Sequence, residues 1–141
     1  GNLRSAFFFF YSVYPAMKTG GSGKIINIGS MTSIFGGAKL APYSASKGGI
    51  VQMTRSLACA WAKENIQVNA ILPGFIDTEL TRQARIDIPG LNETVIARTP
   101  TGRWGKPHDL AGTAVFLASP ASDFVTGVAL PVDGGYSSNL F

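Results

Sequence analysis

The sequence predicts an α/β fold in which a parallel sheet is flanked by helices. Three observations lead there. First, β-rich runs at residues 24–29, 66–72 and 128–132 alternate with helical patterns, in the order helix, strand, helix, strand, helix, strand. Strands separated by helices call for right-handed crossovers and so for parallel pairing. Second, Lys24-Ile25-Ile26-Asn27-Ile28-Gly29 reads as a strand covered on both faces, the habit of parallel sheets. Third, Ser30, Pro73-Gly74 and the start of a helix bearing Tyr43 all map to the carboxyl ends of the strands, the edge at which such sheets bind ligands.

Residues 3–18 are rich in aromatic side chains, and their length favours a helix over a strand. Phe7, Phe10, Tyr11 and Tyr14 fall on one helical stripe, with Phe8 and Phe9 off it, so the helix is expected to be buried on more than one side. A second apolar face would also suit another subunit. Thr19-Gly20-Gly21-Ser22-Gly23 breaks the helix; lacking a preceding strand and a following Lys-Ser/Thr, it reads as a turn and not as a phosphate loop. After the first strand, residues 33–40 form a loop. Pro42 then suits the first turn of a helix running to about Glu64, with Ile50, Met53, Leu57 and Trp61 at helical spacing. Residues 66–72 form the second strand, which Pro73-Gly74 ends. Residues 75–99 are the least patterned and read as a flap containing short helices. Arg103-Trp104-Gly105-Lys106-Pro107 leads into a helix over 108–117; here Arg103 and Trp104 are expected to pack at the helix start more than to touch substrate. A loop, a short strand over 128–132 and an Asp133-Gly134-Gly135 turn complete the chain.

With 141 residues the chain holds one domain's worth of sequence or less, and no internal repeat or linker divides it. It is 45% hydrophobic and only 14% charged, enough to bury a core. The net charge of +4 comes from scattered basic residues with no Lys/Arg run, which argues against a nucleic-acid partner. The apolar run at residues 6–14 falls far short of the ~20 residues that span a bilayer, which argues against a membrane role. A single cysteine, Cys59, allows no internal disulfide and no cysteine metal site; it reads as a small core residue and fits a reducing cytoplasm. One histidine, His108, makes neither a metal site nor a Ser-His-Asp triad and reads as a surface residue.

The chemistry concentrates at Tyr43-Ser44-Ala45-Ser46-Lys47. Tyr43 and Lys47 are four apart, one helical turn, and share a face. Ser30 precedes Tyr43 at the end of the first strand. A phenol, an ammonium and a hydroxyl converging at a sheet edge can pass a proton to or from an alcohol or carbonyl oxygen. A free phenol titrates near ~10 and is a poor base at neutral pH; a neighbouring cation favours the phenolate. Alone, the pair would suit an interface tyrosine and a solvated lysine. Ser30 upstream and Asn69-x-x-x-Pro73-Gly74 downstream favour the chemical reading, with Asn69 itself tying backbone near the site.

These residues resemble the short-chain dehydrogenase/reductase family: Asn2, the run 24–30, Tyr43 with Lys47, Val68-Asn69-Ala70-Ile71-Leu72-Pro73-Gly74, Thr78, and Val132-Asp133-Gly134-Gly135, in the family's order. The resemblance implies the C-terminal part of a Rossmann-like doubly wound parallel sheet with flanking helices, and an oxidoreductase dependent on NAD or NADP. It implies catalytic roles for Asn2, Ser30, Tyr43 and Lys47. Tyr43 would be the general acid/base, Ser30 the donor to the substrate oxygen, and Asn2 the holder of a relay water. Lys47, with Tyr43 beside it, would also hold the nicotinamide ribose. Pro73, Gly74, Ile76 and Thr78 would run along the cofactor, Ile76 through its amide and Thr78 through its hydroxyl. Hydride transfer belongs to the cofactor, since no side chain performs it.

The family's glycine-rich loop and the residue that selects NAD or NADP are absent from these 141 residues. The chain is therefore expected to be the C-terminal catalytic part of one domain, leaving one sheet edge exposed and folding poorly or binding cofactor weakly by itself. Around Arg103-Trp104-Gly105 the resemblance points to the sugar-acid and polyol branch, such as gluconate 5-dehydrogenase or 2-deoxygluconate 3-dehydrogenase. A 3-oxoacyl-carrier-protein reductase is the alternative, and a non-catalytic oligomerisation scaffold the rival of another class. The family further implies a homotetramer acting on a small carbonyl or alcohol substrate.

Overall fold

The structure is a computed structural model that describes residues 2–140, Asn2 by its backbone alone. Helix α1 spans Asn2–Gly20, β1 Gly23–Ile28, α2 Ala41–Trp61, β2 Ile66–Pro73, α3 Glu79–Asp87, α4 Leu91–Arg98, α5 Ala111–Ala118 and β3 Ala129–Val132. The sheet has the order β1-β2-β3, and both pairings are parallel, with Ile25 beside Val68 and Ala70 beside Ala129. The alternation of helix and strand in the sequence thus produces the crossover topology it predicts.

β2 is the central strand, and its residues from Ile66 to Leu72 are all buried. On one face Ile66 and Val68 meet Ile25, Phe10 of α1 and Ala58 and Trp61 of α2. Further along that face Ala70 and Leu72 pack with Val51 of α2 and Met31. On the opposite face Lys24 reaches Ser122 and Asp123 beyond α5, and Leu117 of α5 is buried. Helices therefore cover both faces, the arrangement of a doubly wound sheet.

Three expectations need correction. Strand β1 is not covered throughout: it is an outer strand, and Ile28 is 51% exposed. Helix α1 is not buried on several sides. Its packed stripe is Ala6, Phe10, Val13, Tyr14 and Met17, while Phe7, Phe8, Phe9 and Tyr11 face outward among the described residues. Phe10 and Tyr14 belong to both stripes, Tyr14 stacking on Trp61 at 4.7 Å and bonding Glu64 at 2.9 Å, while Ala6, Val13 and Met17 complete the inward face in place of Phe7 and Tyr11. Cys59 is exposed, because the inward phase of α2 is taken by Ala58 and Trp61.

The connections hold the strand ends in place. Helix α2 begins with Pro42 in its first turn, closes through a 3-10 turn at Ala62–Glu64, and is stopped by Asn65 in the left-handed region (φ 58°). Asn69, 1% exposed, donates to Val125 O at 2.8 Å and accepts from Val128 N–H at 3.1 Å, so it ties β2 to the approach of β3. The weakly patterned 75–99 stretch contains α3 and α4. No helix among the described residues is long and apolar enough to cross a membrane.

Candidate active site

The carboxyl ends of β1 and β2 and the first turns of α2 form one open cleft of about 370 Å³. Ser30, Tyr43, Lys47, Pro73, Gly74, Ile76 and Thr78 all line it, with Ile28, Gly29, Thr81, Pro107 and Leu110. Residues up to 82 positions apart in sequence, Ile28 and Leu110, are brought to one edge because parallel strands all end on the same side. Asn2 opens α1, and its side chain lies outside the described residues.

Each side chain has a local reason for its place. Ser30 follows β1 in extended backbone and caps a 3-10 turn at Met31–Ser33. Its Oγ accepts from Thr32 N–H at 3.3 Å; among the described residues nothing takes its proton. Tyr43 and Lys47 stand one turn apart on α2, Tyr43 being 44% exposed and Lys47 half-buried. Lys47 Nζ lies 5.9 Å from the Tyr43 ring centre and donates to Ile28 O at 3.0 Å. That bond engages one of three ammonium protons and leaves two for a ligand. Gly74 is required by a close approach: a Cβ there would sit 2.7 Å from the Asp133 backbone.

The next segment turns an amide into the cleft. Ile76 bridges Gly105 in parallel fashion, with Gly105 N–H on Phe75 O and Asp77 N–H on Gly105 O. This pattern points the N–H and C=O of Ile76 away from Gly105. Thr81 Oγ donates to Ile76 O at 2.6 Å, while the Ile76 N–H has no partner among the described residues. Thr78 caps α3 in a reciprocal box with Thr81: Thr78 N–H gives to Thr81 Oγ at 2.8 Å, and Thr81 N–H to Thr78 Oγ at 3.3 Å. With the Thr81 proton committed to a carbonyl, the Thr78 hydroxyl is the donor across the 3.2 Å contact between the two Oγ atoms, a bond it would exchange for one to a ligand.

Charges brace the wall of the cleft. Asp77 pairs with Arg82 at 3.0 Å and with Arg85, and the Arg82 guanidinium leads in holding its carboxyl below the usual range. Arg103 grips Asp109 at 2.7 Å; with the Lys106 N–H it holds that carboxyl far below an ordinary aspartate. Trp104 is buried, with Nε1 on Asn92 at 3.0 Å, Arg85 4.1 Å over its ring and Phe75 against it at 5.6 Å. It packs α3 and α4 onto the sheet edge. His108 is on the surface.

Sequence reasoning passed over Thr81 and Ser33. Thr81 had a signal: Thr78-x-x-Thr81 ahead of a helix is a capping-box spacing. Ser33 had the same spacing from Ser30, hidden by its position in a loop.

Comparison with known proteins decides the family. The family model described as enoyl-(acyl carrier protein) reductase matches residues 1–137. The chain belongs to the short-chain dehydrogenase/reductase family. Among its relatives in that family, the 2-dehydro-3-deoxy-D-gluconate 5-dehydrogenase of Dickeya dadantii is 50% identical over 136 residues, 96% of this chain and 53% of that protein. The 5-keto-D-gluconate 5-reductase of Escherichia coli K12 is 48% identical over 114 residues, 81% of this chain and 44% of that protein. A gluconate 5-dehydrogenase from Burkholderia cenocepacia, crystallised with NADP and tartrate, superposes with a TM-score of 0.93 at 43% identity, covering 99% of this chain and 54% of that one. The chain thus spans about half the length of the dehydrogenases it matches.

Proposed function

We propose that the cleft is the catalytic centre of an NAD- or NADP-dependent oxidoreductase that interconverts a secondary alcohol and a ketone on a sugar acid. The observation that carries this reading is the gathering of Ser30, Tyr43 and Lys47 with the Ile76 amide and Thr78 on one cleft. The names of the relatives, acting on gluconate derivatives, support the substrate class.

The donor set fits a nicotinamide nucleotide. Lys47 has two free protons for ribose hydroxyls, the Ile76 N–H suits a carboxamide oxygen, and the Thr78 hydroxyl and the backbone at Pro73-Gly74 lie beside them. When bound, the nicotinamide supplies or accepts the hydride. The chain's own residues handle the proton. In reduction Tyr43 gives its phenolic proton to the carbonyl oxygen; in oxidation the phenolate takes it from the alcohol. Lys47 stabilises that phenolate. Ser30 donates its uncommitted proton to the substrate oxygen as negative charge develops there. Residues 75–99 act as the flap that closes over substrate and excludes water. The outward aromatic residues of α1 support assembly into a homotetramer, and the lone cysteine supports a cytoplasmic setting.

The test is turnover by the full-length protein. NADPH and NADH oxidation are followed with 5-keto-D-gluconate, with 2-dehydro-3-deoxy-D-gluconate in the reverse direction with NADP or NAD, and with a 3-oxoacyl thioester. Sugar-acid turnover is expected, with thioester turnover at least about 100-fold lower in kcat/KM. Preference for the thioester would move the substrate to the acyl class, and no turnover of any would favour a scaffold.

A further inference from the structure

The loop after β1 contains a hydroxyl shared by both halves of the cleft. Ser33 Oγ donates to Lys47 O at 2.8 Å and accepts from Ser30 N–H at 3.1 Å. One atom therefore joins the backbone that carries Ser30 to the helix that carries Tyr43 and Lys47. A hydroxyl has a single proton, and here it crosses to α2. Lys47 Nζ returns to Ile28 O at 3.0 Å, so the bonds close a ring through Ile28, Ser30, Ser33 and Lys47. No side chain caps the start of α2 at Leu40, which leaves the Ser33 bond as a fixing point one turn beyond Tyr43. The packing at this spot is close: a Cβ on Gly29 would lie 2.9 Å from Ser33 Oγ and 2.3 Å from Leu72 Cδ2. Ser33 is half-buried, and the side chains lining the cleft do not include it.

We propose that Ser33 is a positioning residue for the oxidation–reduction: its hydroxyl sets the separation between the Ser30 hydroxyl and the Tyr43–Lys47 pair. The inference rests on the catalytic reading of the cleft. Two groups must reach one substrate oxygen, one from the strand end and one from the helix, and such convergence is sensitive to small displacements. Without the Ser33 hydroxyl, the Ser30 N–H loses its only partner among the described residues, and the strand-end loop can drift from α2.

Ser33→Ala, Ser33→Thr and Tyr43→Phe are made in the full-length protein. Steady-state kinetics use NADPH with 5-keto-D-gluconate, and NADPH affinity is titrated by fluorescence. For Ser33→Ala we expect kcat to fall about 10- to 100-fold, with cofactor affinity and substrate KM within about twofold. Ser33→Thr, which keeps the hydroxyl, restores most of the rate. Should Ser33→Ala be recovered unfolded, Ser33→Cys, with a similar shape and a weaker donor, carries the same test. Wild-type kcat in Ser33→Ala, or a lower melting temperature with unchanged kcat, would overturn the positioning role. The Tyr43→Phe arm separates the two ideas. An inactive Tyr43→Phe beside a fully active Ser33→Ala sinks this inference alone, whereas an active Tyr43→Phe removes the catalytic reading on which it rests.

Discussion

Single residues in this molecule act mainly by what they leave free. Ser30 accepts a backbone N–H and keeps a proton for something else, and Lys47 commits one of three. At Asp109 the charge is engaged within the fold. Asp109 takes two guanidinium nitrogens of Arg103 and the Lys106 N–H, and its carboxyl titrates well below an unfolded aspartate. A group with a depressed folded pKa contributes stability above its unfolded value and loses it as pH falls below. The contribution is therefore complete above about pH 4 and fades under it. Asp109→Asn should lower the melting temperature of the full-length protein by a constant amount between about pH 5 and 8, with the gap shrinking below about pH 4. Melting curves across that range check this; a gap that persists undiminished at the acid end would mean that the Asp109 charge contributes nothing. Both partners are partly exposed, so salt should also narrow the gap.

At the scale of elements, β2 organises the fold, and Asn69 locks it to its neighbour. The Asn69 side chain replaces ladder bonds where the chain approaches β3. Asn69→Ala would leave the Val128 N–H and Val125 O without these partners inside the fold. It should destabilise the full-length protein by about 1–3 kcal/mol in urea unfolding; a change under about 0.5 kcal/mol would show the tie to be dispensable. The elements were legible where one physical signal dominated. Apolar, β-rich runs between turn residues marked β1 and β2, and Pro42 marked the start of α2. Burial of α1 was misread because its aromatic residues surround the helix, and the inward face is completed by Ala6, Val13 and Met17 instead of Phe7 and Tyr11. Cys59 failed similarly: apolar character does not give helical phase, and Ala58 and Trp61 hold the inward positions. Candidate site residues were legible from spacing, Tyr43 to Lys47 and Ser30 upstream. The capping spacings Ser30-x-x-Ser33 and Thr78-x-x-Thr81 stand in the sequence, but the onward bonds of Ser33 to Lys47 O and of Thr81 to Ile76 O follow only from the folded loops.

For the whole molecule, topology makes the chemistry local. Parallel strands deliver their ends to one edge, and the ends of β1 and β2 with the start of α2 enclose the cleft between them. The same topology leaves β1 as an outer strand with Ile28 exposed, lining one depression with the outward Phe9 of α1. In the family reading the cleft is a proton-handling centre working beside a hydride carrier, and Tyr43 is its acid and base. Turnover of 5-keto-D-gluconate with NADPH by full-length Tyr43→Phe tests this most directly. The account predicts a fall in kcat of about 10²- to 10⁴-fold with the fold retained; a Tyr43→Phe protein that turns over at the wild-type rate would contradict it.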